Sequence, residues 1–165
     1  MKNIKNFEFR NIAIIYFDVC SFTTKIITIK GVMVTLPYSL EVSLELLCIK
    51  AGSTLNGRMV AFREIVGITQ KPAILLSESD RTLLMPTKAL NNKDCFLINY
   101  SNLINIKQVE YFRTNLKFYN NFQYTIPADR RTLKRQCLRC YEFLHLLDDE
   151  DVTDGDSNFL INKFK

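Results

Sequence analysis

From Phe7 to Phe17, and again from Phe22 to Ile29, the chain is rich in Ile, Phe, Thr and Tyr, and Gly31 separates these runs from a third ending at Leu36. Apolar and β-branched runs of this length, punctuated by turn residues, predict a β meander. After Pro37 the pattern changes: Leu40, Leu44, Leu47 and Cys48 recur at helical spacing and Gly52 follows Lys50, which predicts a helix from about Ser39 to Lys50. A second helical pattern sets Val60 and Ile65 against Arg58, Arg63 and Glu64 and runs to about Val66, just before Gly67. Between Ala73 and Tyr100, short apolar runs (73–76, 83–85 and 95–98) are broken by Ser-Glu-Ser-Asp and Asn-Asn-Lys-Asp, the composition of turns between strands. Two more strands and a hairpin are expected from Ile104 to Ile126, with Tyr119-Asn120-Asn121 as the turn and Pro127 as the stop. Asp129 is placed to cap a last helix reaching about Leu147, with Leu133, Cys137, Tyr141 and Leu144 on its apolar side. No internal repeat is visible.

These elements predict an α+β fold: antiparallel sheets with two central helices and a C-terminal helix, in a single domain. With 165 residues and 47% hydrophobic content the chain supports one substantial core. Residues 1–147 are expected to form that domain. Residues 148–165, acidic and poor in apolar side chains, are expected to form a flexible tail.

Charge sharpens the picture. The chain carries 22 Lys+Arg against 17 Asp+Glu, but six of the acids crowd between Asp148 and Asp156, accompanied after Leu147 by only Lys163 and Lys165. The body up to Leu147 therefore holds 20 basic against 11 acidic residues, a charge of +9, which favours polyanionic partners. The N-terminal residues lack a secretory signal pattern, and no stretch approaches the roughly 20 apolar residues of a membrane span, so a cytoplasmic location is expected. Five scattered cysteines fit reduced, mostly buried thiols better than a disulfide framework.

The candidate chemistry argues against an enzyme. Gly52-Ser53-Thr54-Leu55-Asn56-Gly57-Arg58-Met59 has the glycine spacing of a phosphate-binding loop, yet Arg58 and Met59 stand where that loop needs Lys and a hydroxyl. Cys137-x-x-Cys140 with His145 lacks the second ligand pair of a structural zinc site, so neither metal nor cofactor is expected. A single histidine near a run of acids suits a helix end better than general-base work, and Glu41 with Glu45 suits a solvated helix face. The basic constellation says more. Arg131, Arg135 and Arg139 recur every four residues over about 12 Å of helix, flanked by Arg130 and Lys134. Such a stripe suits successive phosphates or a narrow minor groove.

Gly52-Ser53, Gly57-Arg58, Ala61, Lys71-Pro72-Ala73-Ile74, Pro86-Thr87 and Cys95 with Ile98, in this order and spacing, resemble the competence transcription factor (ComK) family of Gram-positive bacteria. The likeness extends to the strands from Phe7 to Leu36, to Phe118-Tyr119-Asn120-Asn121, to Ile126-Pro127 and to the helix containing Gln136, covering about residues 7–147. The resemblance implies a transcriptional activator of DNA-uptake genes that binds paired A/T runs in double-stranded DNA through the minor groove, as dimers that assemble further. It adds Arg58 and Lys71 to the arginine stripe as DNA-contact candidates. Three departures stand out: Phe-Leu-Ile follows Cys95 where the family has tryptophan, Ala73 replaces a second proline, and Asn158-Phe159-Leu160-Ile161 stands in place of the Phe-Met-Leu-Tyr-Pro-like segment captured by a proteolytic adaptor. The rival expectation is a diverged relative acting through protein contacts, its acidic tail covering the basic helix or recruiting a partner.

Overall fold

The computed structural model describes residues 7–152. The first meander is β1 (Ile12–Asp18), β2 (Thr23–Thr28) and β3 (Met33–Leu36), preceded by a short 3-10 turn at Phe9–Asn11 where a longer strand was expected. Local hydrogen bonds divert the chain there: Glu8 accepts from both Arg10 and Asn11. Helices α1 (Leu40–Lys50) and α2 (Leu55–Val66) follow, then β4 (Ile74–Ser77), β5 (Thr82–Pro86) and β6 (Phe96–Asn99). Strand β6 returns to pair antiparallel with β1, Ile98 opposite Ile14, so the two meanders merge into one six-stranded sheet of order β3-β2-β1-β6-β5-β4. A second, three-stranded sheet contains β7 (Leu103–Glu110), β8 (Arg113–Phe118) and β9 (Gln123–Ile126). Helix α3 spans Arg130–Val152.

The near-continuous apolar runs of β1 and β4 to β6 have a direct cause: both faces of the sheet are buried there. Successive side chains along a strand point to opposite faces. Thus Ile74, Leu76, Leu84 and Leu97 join Leu40, Leu44 and Leu47 of α1 in one core. Leu75, Leu83, Met85 and Ile98 join Phe62 of α2, Leu133 and Phe143 of α3, and Leu116 and Phe118 of β8 in the other. Phe62 and Phe143 meet ring to ring at 4.9 Å, fastening α2 to α3.

The helix starts follow from local capping. Ser39 Oγ accepts from the Val42 amide, and Asp129 Oδ2 accepts from the Thr132 amide, satisfying N–H groups that have no partner within their helices. At α2, Thr54 Oγ1 accepts from Gly57 N–H at 3.0 Å, and the Glu45 carboxylate accepts from Leu55 N–H at 3.0 Å. Glu45 is therefore a cap for the next helix, not half of a solvated acid pair. A Cβ at Gly57 would lie only 3.0 Å from Thr54 Oγ1, so the second glycine of the loop-like motif belongs to this cap. The connection between the helices is confined to residues 51–54, and Asn56-Gly57-Arg58-Met59 is helical.

Between Leu103 and Ile126 the structure has three strands and two turns, the unexpected turn falling at Tyr111-Phe112. Helix α3 runs five residues past Leu147, into the segment expected as tail, where Asp148 forms an ion pair with Arg81 of the β4–β5 turn. Residues 153–165, including Asn158-Phe159-Leu160-Ile161, lie outside the described residues. No helix among the described residues is long and apolar enough to cross a membrane.

Buried amides join the layers. Asn99 Nδ2 donates to Ile12 O at 2.9 Å, linking β6 to β1 at the strand end. Gln136, 3% exposed, donates through Nε2 to Pro86 O at 2.7 Å and Lys71 O at 3.2 Å, while its Oε1 accepts from Arg139 Nη1 at 2.8 Å. Replacing one partner of buried hydrogen bonds costs about 1–3 kcal/mol. Gln136→Leu is accordingly expected to lower the unfolding free energy by about 2 kcal/mol in urea titrations; a change within about 0.5 kcal/mol, the range of neutral surface substitutions, would show that the amide is not a structural tie.

Candidate nucleic-acid interface

Helix α3 turns one face inward through Leu133, Gln136, Cys140 and Phe143, all buried. With that face fixed, Arg130, Arg131, Lys134 and Arg135 are exposed on the other side. Among the described residues none of these four is paired with a carboxylate; Arg130 instead donates from Nε to Ile106 O of β7 at 3.5 Å. Spacing at every fourth residue does not hold a strictly straight line, because four residues turn the helix by about 40° more than one full revolution. The stripe therefore drifts: Arg131 and Arg135 face solvent, and Arg139 reaches the helix border, half-buried, with its guanidinium on Gln136.

The two remaining candidates lie elsewhere. Lys71 occupies a turn at φ +49°, its carbonyl held by Gln136, and lines a cleft of 530 Å³ with Arg63 and Lys88. Arg58, on α2, has a side chain only 17% exposed and pairs with Glu78 at 3.1 Å. It lines a separate hollow with Ser77 and Ser79. Lys71 thus neighbours the end of the arginine stripe through Gln136, whereas Arg58 belongs to the α2–β4 side of the molecule.

Tyr141, expected on the apolar side of the last helix, is exposed. It lies 20° from Arg130 in helical projection at about 100° per residue, hence on the outer face. With Leu138, Ile104, Leu103 and Tyr100 it lines a groove of 490 Å³ between α3 and β7, with Arg130 and Lys134 beside it. His145 stacks on Tyr141, ring centroids 6.1 Å apart, and its Nε2 is 3.4 Å from Asp149. It therefore sits well inside the helix, not at its end.

Cys140 faces the core, and Cys137, half-buried, borders the groove. Burial pushes Cys137 up to about 11 and Cys140 well above the ordinary thiol value, and Cys137 Sγ contacts Met85 Sδ at 3.8 Å. With His145 on the outer face, Cys137, Cys140 and His145 do not converge on a common point. Among the described residues no group of three or more His, Cys, Asp or Glu side chains is placed to hold a metal ion.

Sequence reasoning missed one feature. The turn joining β7 to β8 presents Val109, Tyr111 and Phe112 to solvent, next to Lys107 and Arg113. Its only advance signal was the run Val109-Glu110-Tyr111-Phe112-Arg113, which contains no Gly, Asn or Pro to mark a turn.

A family model described as ComK protein matches residues 11–151 of this chain. A competence transcription factor from Bacillus subtilis (strain 168) is 26% identical over 88 residues, covering 53% of this chain and 46% of that protein. The aligned region thus spans about half the length of the curated relative. No solved structure matches the chain at the same stringency. With the family match running from the start of β1 to the last turn of α3, the chain belongs to the ComK protein family.

Proposed function

We propose that this protein is a DNA-binding transcriptional activator of competence, or DNA-uptake, genes that recognises A/T-rich promoter sites through the minor groove. The observation that carries the reading is the outward face of α3, where Arg130, Arg131, Lys134 and Arg135 stand exposed without carboxylate partners among the described residues. Family membership and the name of the Bacillus subtilis relative support it. The protein acts by binding, in the cytoplasm, with no cofactor. Lysine and arginine near phosphates release condensed counterions, and the narrow groove of A/T runs concentrates negative potential that attracts arginine. In this reading Arg130, Arg131, Lys134 and Arg135 form the contact set, Arg139 and Lys71 lie at its border, and Arg58, tied to Glu78, supports the fold.

Fluorescence anisotropy with a duplex carrying two A/T runs one helical turn apart, against a G/C-substituted control, tests the proposal. The expected preference is about ten-fold or more, roughly 1.4 kcal/mol, with affinity falling steeply as salt rises. Arg131→Ala with Arg135→Ala should lower the slope of log K against log salt by roughly two, since each phosphate contact contributes about 0.9. Equal, weak binding to both duplexes would contradict the proposal.

A second reading is favoured by the apolar groove between α3 and β7, which suits contact with protein: a second copy of this chain in a homo-oligomer, or another partner. Unchanged, weak DNA binding by wild type and the double variant alike would favour that reading.

Thiol catalysis makes a separate, checkable claim. At pH 8 a thiol with a pKa of about 11, as at Cys137, is thiolate to about one part in a thousand, and its reactivity climbs only as pH approaches 11. In native protein at pH 8, Cys20, which is exposed, is expected to react with Ellman's reagent well before the other four cysteines, and all five should react in denaturant. Rapid native labelling of Cys137 or Cys140 would contradict this.

A further inference from the structure

Strands β7 and β8 pair as a ribbon from Leu103 opposite Phe118 to Glu110 opposite Arg113. On the inner side of β8, Thr114, Leu116 and Phe118 are buried, which anchors the ribbon to the core. Every residue from Lys107 to Arg113 is exposed, so the end of the ribbon stands in solvent on both strands. At its tip Tyr111 is 93% and Phe112 45% exposed, their ring centroids 6.4 Å apart.

Packing does not account for these two aromatics. Phe112 adopts φ +57°, a left-handed conformation that bulky side chains disfavour and that hairpin turns usually assign to Gly or Asn. The chain thus holds a large apolar ring where a glycine would be less strained, and gains little burial for Tyr111. The charge around the tip names a partner. Residues in register across antiparallel strands share a face, and the register of Lys107 with Asn115 and of Asn105 with Lys117 puts Lys107, Lys117 and, by alternation along β8, Arg113 on the outer face. Glu110 lies 4.0 Å from Arg113 and offsets only part of that charge.

The turn between β1 and β2 offers a comparison, since it also exposes an aromatic at positive φ: Phe22 is 73% exposed at φ +52°. There the charge nearest the turn is Asp18, whose carboxyl is held below the usual carboxylate range by hydrogen bonds from the Ser21 hydroxyl and the Cys20 amide, while Lys25, further along β2, donates to Thr35 Oγ1 at 3.0 Å. An anion at that tip opposes a polyanionic partner; the cations at the β7–β8 tip favour one.

We propose that the tip of the β7–β8 ribbon is a second contact with duplex DNA, Phe112 and Tyr111 wedging against a base step in the minor groove while Lys107 and Arg113 meet the flanking phosphates. Apolar side chains are used as such wedges, and the pyrimidine–purine step TA unstacks most readily. The wedge gives A/T-rich DNA an advantage at steps that no arginine reads. The hydrogen bond from Arg130 to Ile106 joins the start of α3 to β7, so the two contacts are carried by neighbouring elements. This inference rests on the DNA-binding reading above.

The test uses the full chain carrying Phe112→Gly or Tyr111→Ser, with Phe22→Gly as the comparison variant. Each is titrated against an A/T duplex with 2-aminopurine in its central TA step, reading both affinity and fluorescence. Wild type should raise the 2-aminopurine signal on binding. Phe112→Gly should melt no lower than wild type because glycine accepts φ +57°, bind about ten-fold more weakly (~1.4 kcal/mol) with an unchanged salt slope, and lose the fluorescence rise. Tyr111→Ser, which alters an almost fully exposed side chain, should behave in the same direction, and Phe22→Gly should match wild type. If both tip variants keep wild-type affinity and signal, or if wild type binds without any fluorescence rise, the wedge is overturned while DNA binding stands. If wild type shows no A/T preference at all, the DNA-binding reading and the wedge fall together.

Discussion

Which face of α3 meets water is decided by the side-chain amide of Gln136. Its Nε2 reaches the carbonyls of Pro86, in the interior, and of Lys71, at its edge, and its Oε1 takes the guanidinium of the half-buried Arg139. Rotating the helix would leave the amide and its partners unsatisfied in the interior, each at a cost of a few kcal/mol. Leu133, Cys140 and Phe143 give the helix a buried side, but apolar contacts tolerate small rotations; a hydrogen-bonded amide tolerates fewer. The inward set therefore determines the outward one, and the outward one is Arg130, Arg131, Lys134 and Arg135.

The rest of the fold packs around that arrangement. A six-stranded sheet, buried on both faces at its centre, supplies the floor, with α1 on one side, α3 and the second sheet on the other, and α2 contributing to both cores. Phe62 against Phe143 and the Arg81–Asp148 ion pair hold α3 along its length. On α3, Cys140 points into this construction and Cys137 lies at its edge, burial raising the pKa of both, while Arg130, Arg131, Lys134 and Arg135 point out of it. The same helix thus carries the buried Cys140 on its inner side and exposed cations on its outer side.

Much of the fold was legible in the sequence, for identifiable reasons. Asp129 announced its helix because a capping oxygen is a local property, the apolar spacing from Leu40 placed the start of α1 where Ser39 caps it, and Gly67 ends α2 as a left-handed residue at φ +74°. What failed depended on tertiary context. The turn at Tyr111-Phe112 carries none of the usual turn residues, so nothing local marked it. Helix α3 outlasts its apolar pattern, and there Asp148 pairs with Arg81, 67 positions away in the chain and invisible to local spacing. Tyr141 faces out and Arg139 partly in because spacing alone fixes a period, not which angle faces the core. The basic residues of α3 were readable as a stripe, but their division into outward and bordering members needed Gln136 and its partners.

Backbone amide chemical-shift mapping of the full chain during titration with an A/T duplex tests the central claim most directly. The account predicts that the largest changes fall on α3 from Arg130 to Arg139 and on the β7–β8 turn, leaving α1 and β3 at their free positions. Changes centred on α1 and β3, with α3 undisturbed, would contradict it.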